Sequence, residues 1–370
     1  MRVVNASPLV EERLSVRHLR EIMHTQVPAG LEKNFKPPTM AFLTPWNQDG
    51  KRWADKHVCK IDYFSPTWYV VKRLHGSFIV EGAHREMDPD LQKVKETVAH
   101  WKTGCQRKRG LVLPRVHFDP AQWSREDLRD FWTPSNSKVV SEIAMKLRKE
   151  AKIAELDGFV VDWGYLDLNA IRGVASMFLS TLRRGDASTG DDGTGHLLLN
   201  LVVPPPVDKR DQGFVQNFRF LFNMVDRFSL MTYDYSQASR GPVSPVLWQE
   251  GILEQIKSHD ETLLVKILLG INFYGYLYEP GATAKAVTGR DLARMLADDK
   301  DQRVSIKVDE EAGEHFLVFR PKKKSTSTTS TIYYPTPWSL HLRLELARKY
   351  RVGVSIWELG QGVERFLELL

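Results

Sequence analysis

Asp157-Gly158-Phe159-Val160-Val161-Asp162-Trp163-Gly164 is the stretch on which the reading of this chain turns. Its centre, Gly158 to Val161, is a short uninterrupted apolar run with polar groups at its end. A strand that is apolar at every position has to be buried on both faces, as in a parallel sheet covered by helices. Seven more runs share this pattern. They are Met40-Ala41-Phe42-Leu43-Thr44, Val58 to Ser65, Leu111 to Val116, Leu197 to Val203, Arg227 to Thr232, Val265 to Phe273 and Val352 to Ile356. Between them Asp90 to Trp101, Lys138 to Lys152 and Trp338 to Lys349 carry helical spacing. The alternation predicts a parallel α/β fold. A doubly wound sheet fits the same alternation, but a count of eight favours the closed (β/α)8 TIM barrel.

The chain has 370 residues, 42% of them hydrophobic and 26% charged, which is ample material for one large core. Residues 1–38 end in Lys36-Pro37-Pro38, a poor run for helix or strand, and read as an arm; residues 39–370 read as the barrel. Between Gly275 and Pro337 the rhythm breaks into a helical piece, Gly289 to Ala297, and three strand-like runs, Val304 to Val308, His315 to Arg320 and Thr331 to Tyr334. The last two flank Pro321-Lys322-Lys323-Lys324 and a Ser/Thr-rich stretch, the pattern of an exposed hairpin. Residues 276–336 are therefore expected to form a small α+β insertion after strand 7.

No stretch reaches the roughly 20 apolar residues of a membrane span. The formal charge of +6 favours anionic partners in general, yet no zinc-finger, basic-zipper or aromatic-basic RNA pattern is present, so no nucleic acid is expected. Cys59 and Cys105 offer no metal spacing and are either one disulfide or two buried thiols. No cofactor or metal is expected.

In a barrel of this kind functional side chains gather at the C-terminal ends of the strands. Those ends finish in aromatics and carboxylates: Trp46, Trp68, His117-Phe118-Asp119, Asp162-Trp163, Tyr233-Asp234-Tyr235, Tyr274 and Trp357-Glu358. Aromatic faces stack against the C–H faces of a sugar, and acids serve its hydroxyls, so the pattern points to a saccharide.

Four segments resemble glycoside hydrolase family 18, the chitinases. Asp157 to Gly164 is similar to the family's Asp-Gly-x-Asp-x-Asp-x-Glu strand, and Met231-Thr232-Tyr233-Asp234 to its Met-x-Tyr-Asp strand. Gly270-Ile271-Asn272-Phe273-Tyr274-Gly275 resembles Gly-x-Pro-Phe-Tyr-Gly, with Asn272 for proline. Gly353 to Trp357 is similar to the last strand, whose tryptophan floors the sugar site. A narrower similarity, carried by Leu43 to Asn47, Asp157 to Val161, Phe228 to Ser236, Lys266 to Gly270 and Gly353 to Gly362, is to a chitinase-like branch of the family. That branch implies a secreted or lysosomal protein that binds oligosaccharides and associates with an endocytic receptor of the stabilin kind. Met1 to Ser7 is too short and polar for a secretory leader, so this placement requires a leader outside the sequence.

The resemblance also implies a chemistry. Family members are substrate-assisted: a glutamic acid ending the fourth strand protonates the leaving oxygen, and the substrate's N-acetyl carbonyl attacks, guided by an aspartate two residues earlier and a tyrosine on the sixth strand. Alternation along a strand sends Val160, Asp162 and Gly164 the same way, into the mouth. By position Asp162 matches the orienting aspartate, Val160 replaces the inner aspartate, and Gly164 stands where the acid belongs. The site is degenerate (Asp157, Val160, Asp162, Gly164), and no catalytic residue is expected. Binding is expected to fall to Met231, Tyr233, Asp234, Tyr274 and Trp357 with Asp162, extended by Trp46, Phe64, Trp68 and Phe118. The expectation is a non-hydrolytic binder of chitin-type, N-acetylglucosamine oligosaccharides. A weak hydrolase with displaced carboxylates and a protein-interaction scaffold in endolysosomal sorting are the alternatives.

Overall fold

A computed structural model describes all residues except 1–8, 75–76, 85–87, 119–125, 127–129, 165–167, 186–194, 207–210, 299–301 and 323–328. Eight parallel strands among the described residues close on themselves: β1 (Thr39–Leu43), β2 (Tyr63–Pro66), β3 in two pieces (Leu111–Val112 and Arg115–Phe118), β4 (Gly158–Asp162), β5 (Leu198–Val203), β6 (Arg227–Leu230), β7 (Ile267–Asn272) and β8 (Gly353–Trp357). The last joins the first, with Thr39 opposite Val354 and Ala41 opposite Ile356. The expected TIM barrel is the fold. Pro114 has no N–H to give the ladder, and β3 breaks there. Its first piece pairs with β2 and its second with β4, while Pro114 still accepts from Val160 N–H at 2.9 Å.

Inward and outward positions alternate as a strand requires. Met40, Phe42, Leu113, Val160, Val202 and Leu268 fill the barrel's interior. Their neighbours Ala41, Leu43, Phe64, Phe118, Phe159 and Val161 fill the layer between sheet and helices. That layer is closed by helices that include Leu91–Thr103, Ser137–Ile153 and Pro337–Tyr350, all three within a residue or two of the predicted spans. Gly158 is required by close approach: a Cβ there would stand 1.8 Å from the Leu198 carbonyl oxygen on β5.

After β7 the chain builds a five-stranded antiparallel sheet, ordered Lys285–Val287, Gly275–Tyr278, Ser330–Tyr333, Glu314–Pro321, Gln302–Asp309, with the helix Gly289–Ala297. The first two strands were not legible, because Gly275–Tyr278 runs on from β7 without a break in polarity. A hairpin, Tyr69–Leu74 with Ser77–Glu81, adds to the edge of the second piece of β3 and was not expected either. Val58–Lys60 is a 3-10 turn, so β2 begins later than its apolar run. Ahead of β1, Val16–His24 is a helix capped by the Ser15 side chain, its Leu19 and Ile22 buried, and Arg20 donates to the Leu296 carbonyl at 2.6 Å. Asp119 and the Lys323-Lys324 tip of the expected hairpin lie outside the described residues.

Cys59 and Cys105 form a disulfide, with their Cα atoms 5.0 Å apart. It ties the end of the first βα unit to the loop after Leu91–Thr103. Among the described residues no helix is long and apolar enough to cross a membrane, and no cluster of His, Cys, Asp or Glu is set to hold a metal ion.

Candidate functional site

The end of β4 is built as the alternation requires. Val160 points into the barrel's apolar interior, and Trp163 points outward against Trp132 at 5.5 Å. Asp162 is buried at the inner end of the mouth. Two residues on, Gly164 adopts φ +66°, a left-handed conformation that glycine takes without penalty. Its N–H donates to Asp162 Oδ1 at 2.9 Å. A Cβ at Gly164 would meet nothing within 4 Å, so space for a side chain exists where the backbone disfavours one.

What holds Asp162 is a residue that no sequence motif singles out. Arg115, on β3, donates through Nε to Asp162 Oδ2 at 2.7 Å and forms a second, shorter bond through its terminal nitrogen. That nitrogen also lies 3.0 Å from His117 Nδ1, and His117 Nδ1 lies 3.3 Å from Asp162 Oδ2. Burial by itself raises the Asp162 carboxyl. The Arg115 charge, the His117 contact and the Gly164 N–H together outweigh burial and hold it well below the usual carboxylate range. The same guanidinium sits 5.2 Å from the centre of the Trp357 ring, in cation–π range. Arg115 and His117 share the inward parity of β3, which was the one signal available for them.

Across the mouth, Tyr274 and Tyr276 both donate to Asp234 Oδ1, the latter at 2.8 Å. Burial first, then the Asp234 charge, raises both phenols, that of Tyr276 to about 12. Asp234 lies at φ +62°. Tyr233 meets Tyr274 edge-on with centroids 6.4 Å apart. Met231 and Trp357 pack half-buried over the interior residues, Trp357 edge-on against Phe42 at 5.1 Å. The structure thus brings Asp162, Met231, Tyr233, Asp234, Tyr274 and Trp357 to one end of the barrel.

The outer aromatics divide. Trp46 stands 70% exposed after β1. Trp68 is half-buried, stacked on Trp101 at 6.3 Å, and lines a hollow of about 280 Å³ with Thr44, Asn47 and Lys93. Phe64 and Phe118 are corrections: both are fully buried outside the barrel. Phe64 stacks on Trp101 at 5.1 Å, and Phe118 packs among Phe131, Trp132 and Phe178. Each has outward parity on its strand, and parity overrides nearness to the strand end. Asp157 sits at the opposite end of β4, accepting from Val112 N–H at 2.8 Å and pairing with Arg109 and Lys102. Its role is to join strands.

Glu358 is buried beside Thr44, Asn47 and Gly360, and no well-formed hydrogen bond reaches either carboxylate oxygen among the described residues. Burial pushes its carboxyl up to about 7. A carboxyl raised on folding adds no penalty below its unfolded value, and stability is lost as pH rises through the folded value. We expect the midpoint of thermal unfolding to fall between about pH 5 and pH 8, with roughly 2–3 kcal/mol at stake. Glu358→Gln should flatten that slope. An equal slope in wild type and variant would show that another group sets it.

The family model for glycosyl hydrolases family 18 matches residues 123–362, well over half of the chain. The chain belongs to glycosyl hydrolases family 18. Solved structures of similar fold include the chitinase of Chromobacterium violaceum ATCC 12472, 19% identical, covering 90% of this chain and 97% of that one with a TM-score of 0.68. The spore cortex-lytic enzyme SleL of Bacillus megaterium QM B1551 is 18% identical over 93% of this chain and 75% of its own, with a TM-score of 0.69. A variant of the family 18 chitinase of Cycas revoluta, in complex with (GlcNAc)4, is 13% identical over 90% and 97%, with a TM-score of 0.67. At these identities the likeness is one of fold. Within the matched residues, the end of β4 carries Val160, Asp162 and Gly164.

Proposed function

We propose that this family 18 chain is a chitinase-like protein that binds N-acetylglucosamine-type oligosaccharides without hydrolysing them. One observation carries the reading: among the described residues the only carboxylate at the tip of β4 is Asp162, and it is spent on Arg115. A positioned general acid contributes about 10²–10⁴-fold to such a reaction. Gly164 contributes an N–H and no proton-donating side chain. Asp162, held ionised by the guanidinium, is a poor acid and is not free to orient an N-acetyl group. Asp234 is bound by two phenols, and Glu358 is buried behind the loop after β1, so neither replaces the missing acid.

Binding is supported by what remains. Trp357 and Met231, both half-buried, offer apolar faces over Tyr233, and Trp46 and Trp68 continue them outward. Asp234 and Arg115, whose guanidinium carries five N–H groups, offer partners for hydroxyls. The Cycas revoluta relative holds (GlcNAc)4 on the same fold. The narrower reading, a protein like chitinase domain-containing protein 1 that is secreted or lysosomal and meets a stabilin-type receptor, is supported by the branch resemblance. The Cys59–Cys105 bridge agrees with it, since such bridges persist in oxidising compartments.

Titrating chitotetraose should change tryptophan fluorescence saturably, and Trp357→Ala should weaken binding at least tenfold. Incubation with the same tetrasaccharide should release no reducing ends above an Asp162→Asn control. A flat titration removes the binding reading. Reducing ends that grow with protein added, and vanish in Asp162→Asn, remove the non-hydrolytic one.

A further inference from the structure

Beside the mouth, on the outer flank of the barrel, lies a groove of about 640 Å³ that the saccharide reading leaves unused. One wall is the loop after β6, with Tyr235 and Pro242. The second is the helix Val246–His259, whose Leu247, Gly251 and Gln255 follow one another at four-residue steps along one face. The third is the turn of the insertion, with Asp309 and Glu311. Tyr235 is 55% and Leu247 59% exposed, two of the few large apolar side chains that the described residues leave open to solvent. Tyr235 and Trp248 lie 5.1 Å apart, inclined by 51°, and a Cβ on Gly251 would meet nothing within 4 Å.

The walls of the groove are tied together. Buried Arg343 donates to the carbonyls of Ser244, Ala312 and Gly313 and pairs with Glu314 at 3.2 Å. Glu314 in turn accepts from the N–H groups of Val243 and Ser244 at 2.9 and 2.6 Å, and Val246 N–H donates to the Ala312 carbonyl at 2.9 Å. Loop, helix and insertion are thus fastened to one another behind the groove. A preformed groove costs a ligand little reorganisation.

Its chemistry selects an occupant. The apolar lining is largely aromatic, proline and leucine, and Asp309 and Glu311 place two acids on one edge. Among the described residues no lysine or arginine lines it, in a chain of net charge +6. Unlike the mouth, the centre of this groove is also aliphatic: Leu247, Pro242 and Pro245 offer a sugar hydroxyl no partner and favour an apolar side chain. An extended peptide places apolar side chains on one face and a basic side chain at its end, and aromatic-lined grooves take proline-rich segments in this way. We infer that this groove docks an extended, proline-containing segment of a partner protein, with a flanking arginine or lysine against Asp309 and Glu311.

The test uses a short fluorescein-labelled peptide of alternating leucine and proline ending in two arginines, with fluorescence anisotropy read on the full chain. Saturable binding is expected, weakened about tenfold, or roughly 1.4 kcal/mol, by Tyr235→Ala and by the exposed-edge variant Glu311→Gln. Replacing the peptide's arginines by glutamates should abolish it, and Glu311→Gln should leave the chitotetraose response intact. The proposal is overturned if the arginine peptide does not bind at millimolar concentration, or binds equally to the variants. It also fails if an amine-bearing oligosaccharide, rather than the peptide, responds to Glu311→Gln, or if sedimentation shows that a second copy of the chain covers the groove.

Discussion

Replacing Arg115 by alanine is expected to cost about 3–5 kcal/mol at neutral pH, the usual consequence of leaving a buried charge without its partner. Among the described residues, Asp162 would keep the Gly164 N–H and His117. Its carboxyl, now held low chiefly by the guanidinium against burial, would rise. The sign follows from linkage: a depressed carboxyl contributes stability above its unfolded value, and that stability is lost as pH falls through the folded one. Wild type and Arg115→Ala should therefore differ most near pH 7 and converge in acid, where the freed carboxyl takes up a proton. Asp162→Asn should be costly for the complementary reason. Arg115→Met with Asp162→Leu should recover much of the loss, because no uncompensated charge remains. Urea titrations of the four proteins at two pH values read this directly. A loss under about 1 kcal/mol at pH 7 would mean that the pair is not formed as described. Hydrolysis should not appear in Arg115→Ala, since Gly164 still has no acid to offer.

Breaking the Cys59–Cys105 bridge should have an effect of similar size. The two residues are 46 apart in sequence, and closing a loop of that length removes about 4 kcal/mol of chain entropy from the unfolded state in the usual treatment. The loop encloses β2, the hairpin and the helix Leu91–Thr103, hence also the Trp68–Trp101 stack that floors the hollow at the rim. Cys59→Ser with Cys105→Ser, or reductant alone, should lower the unfolding midpoint and alter the fluorescence of that pair. Indifference to reductant would show that the bridge does not form in solution.

Legibility varied along the chain for physical reasons. The eight strands could be read because strands buried on both faces leave an uninterrupted apolar signature. The hairpin after β2 and the first strands of the insertion could not: Ser77–Glu81 and Lys285–Val287 are short edge strands with exposed residues, and Gly275–Tyr278 continues β7 without a break in polarity. Within the site, Asp162, Met231, Tyr233, Asp234, Tyr274 and Trp357 were legible as strand-end residues with motif neighbours. Phe64 and Phe118 were misplaced because nearness to a strand end was allowed to outweigh parity. Arg115 was passed over because a single basic residue inside an apolar run carries no sign of its partner. That partner, Asp162, is 47 residues away in sequence.

By itself, then, the order of residues determined the strand count, the family motifs and the absence of a side chain at position 164, all of which are local properties. Only the folded barrel decided that Arg115 reaches Asp162 and Trp357, that two cysteines meet, and that loop, helix and insertion enclose a groove. Pairings between distant segments follow from strand register and the direction of each side chain, and neither is written in any one stretch of the chain.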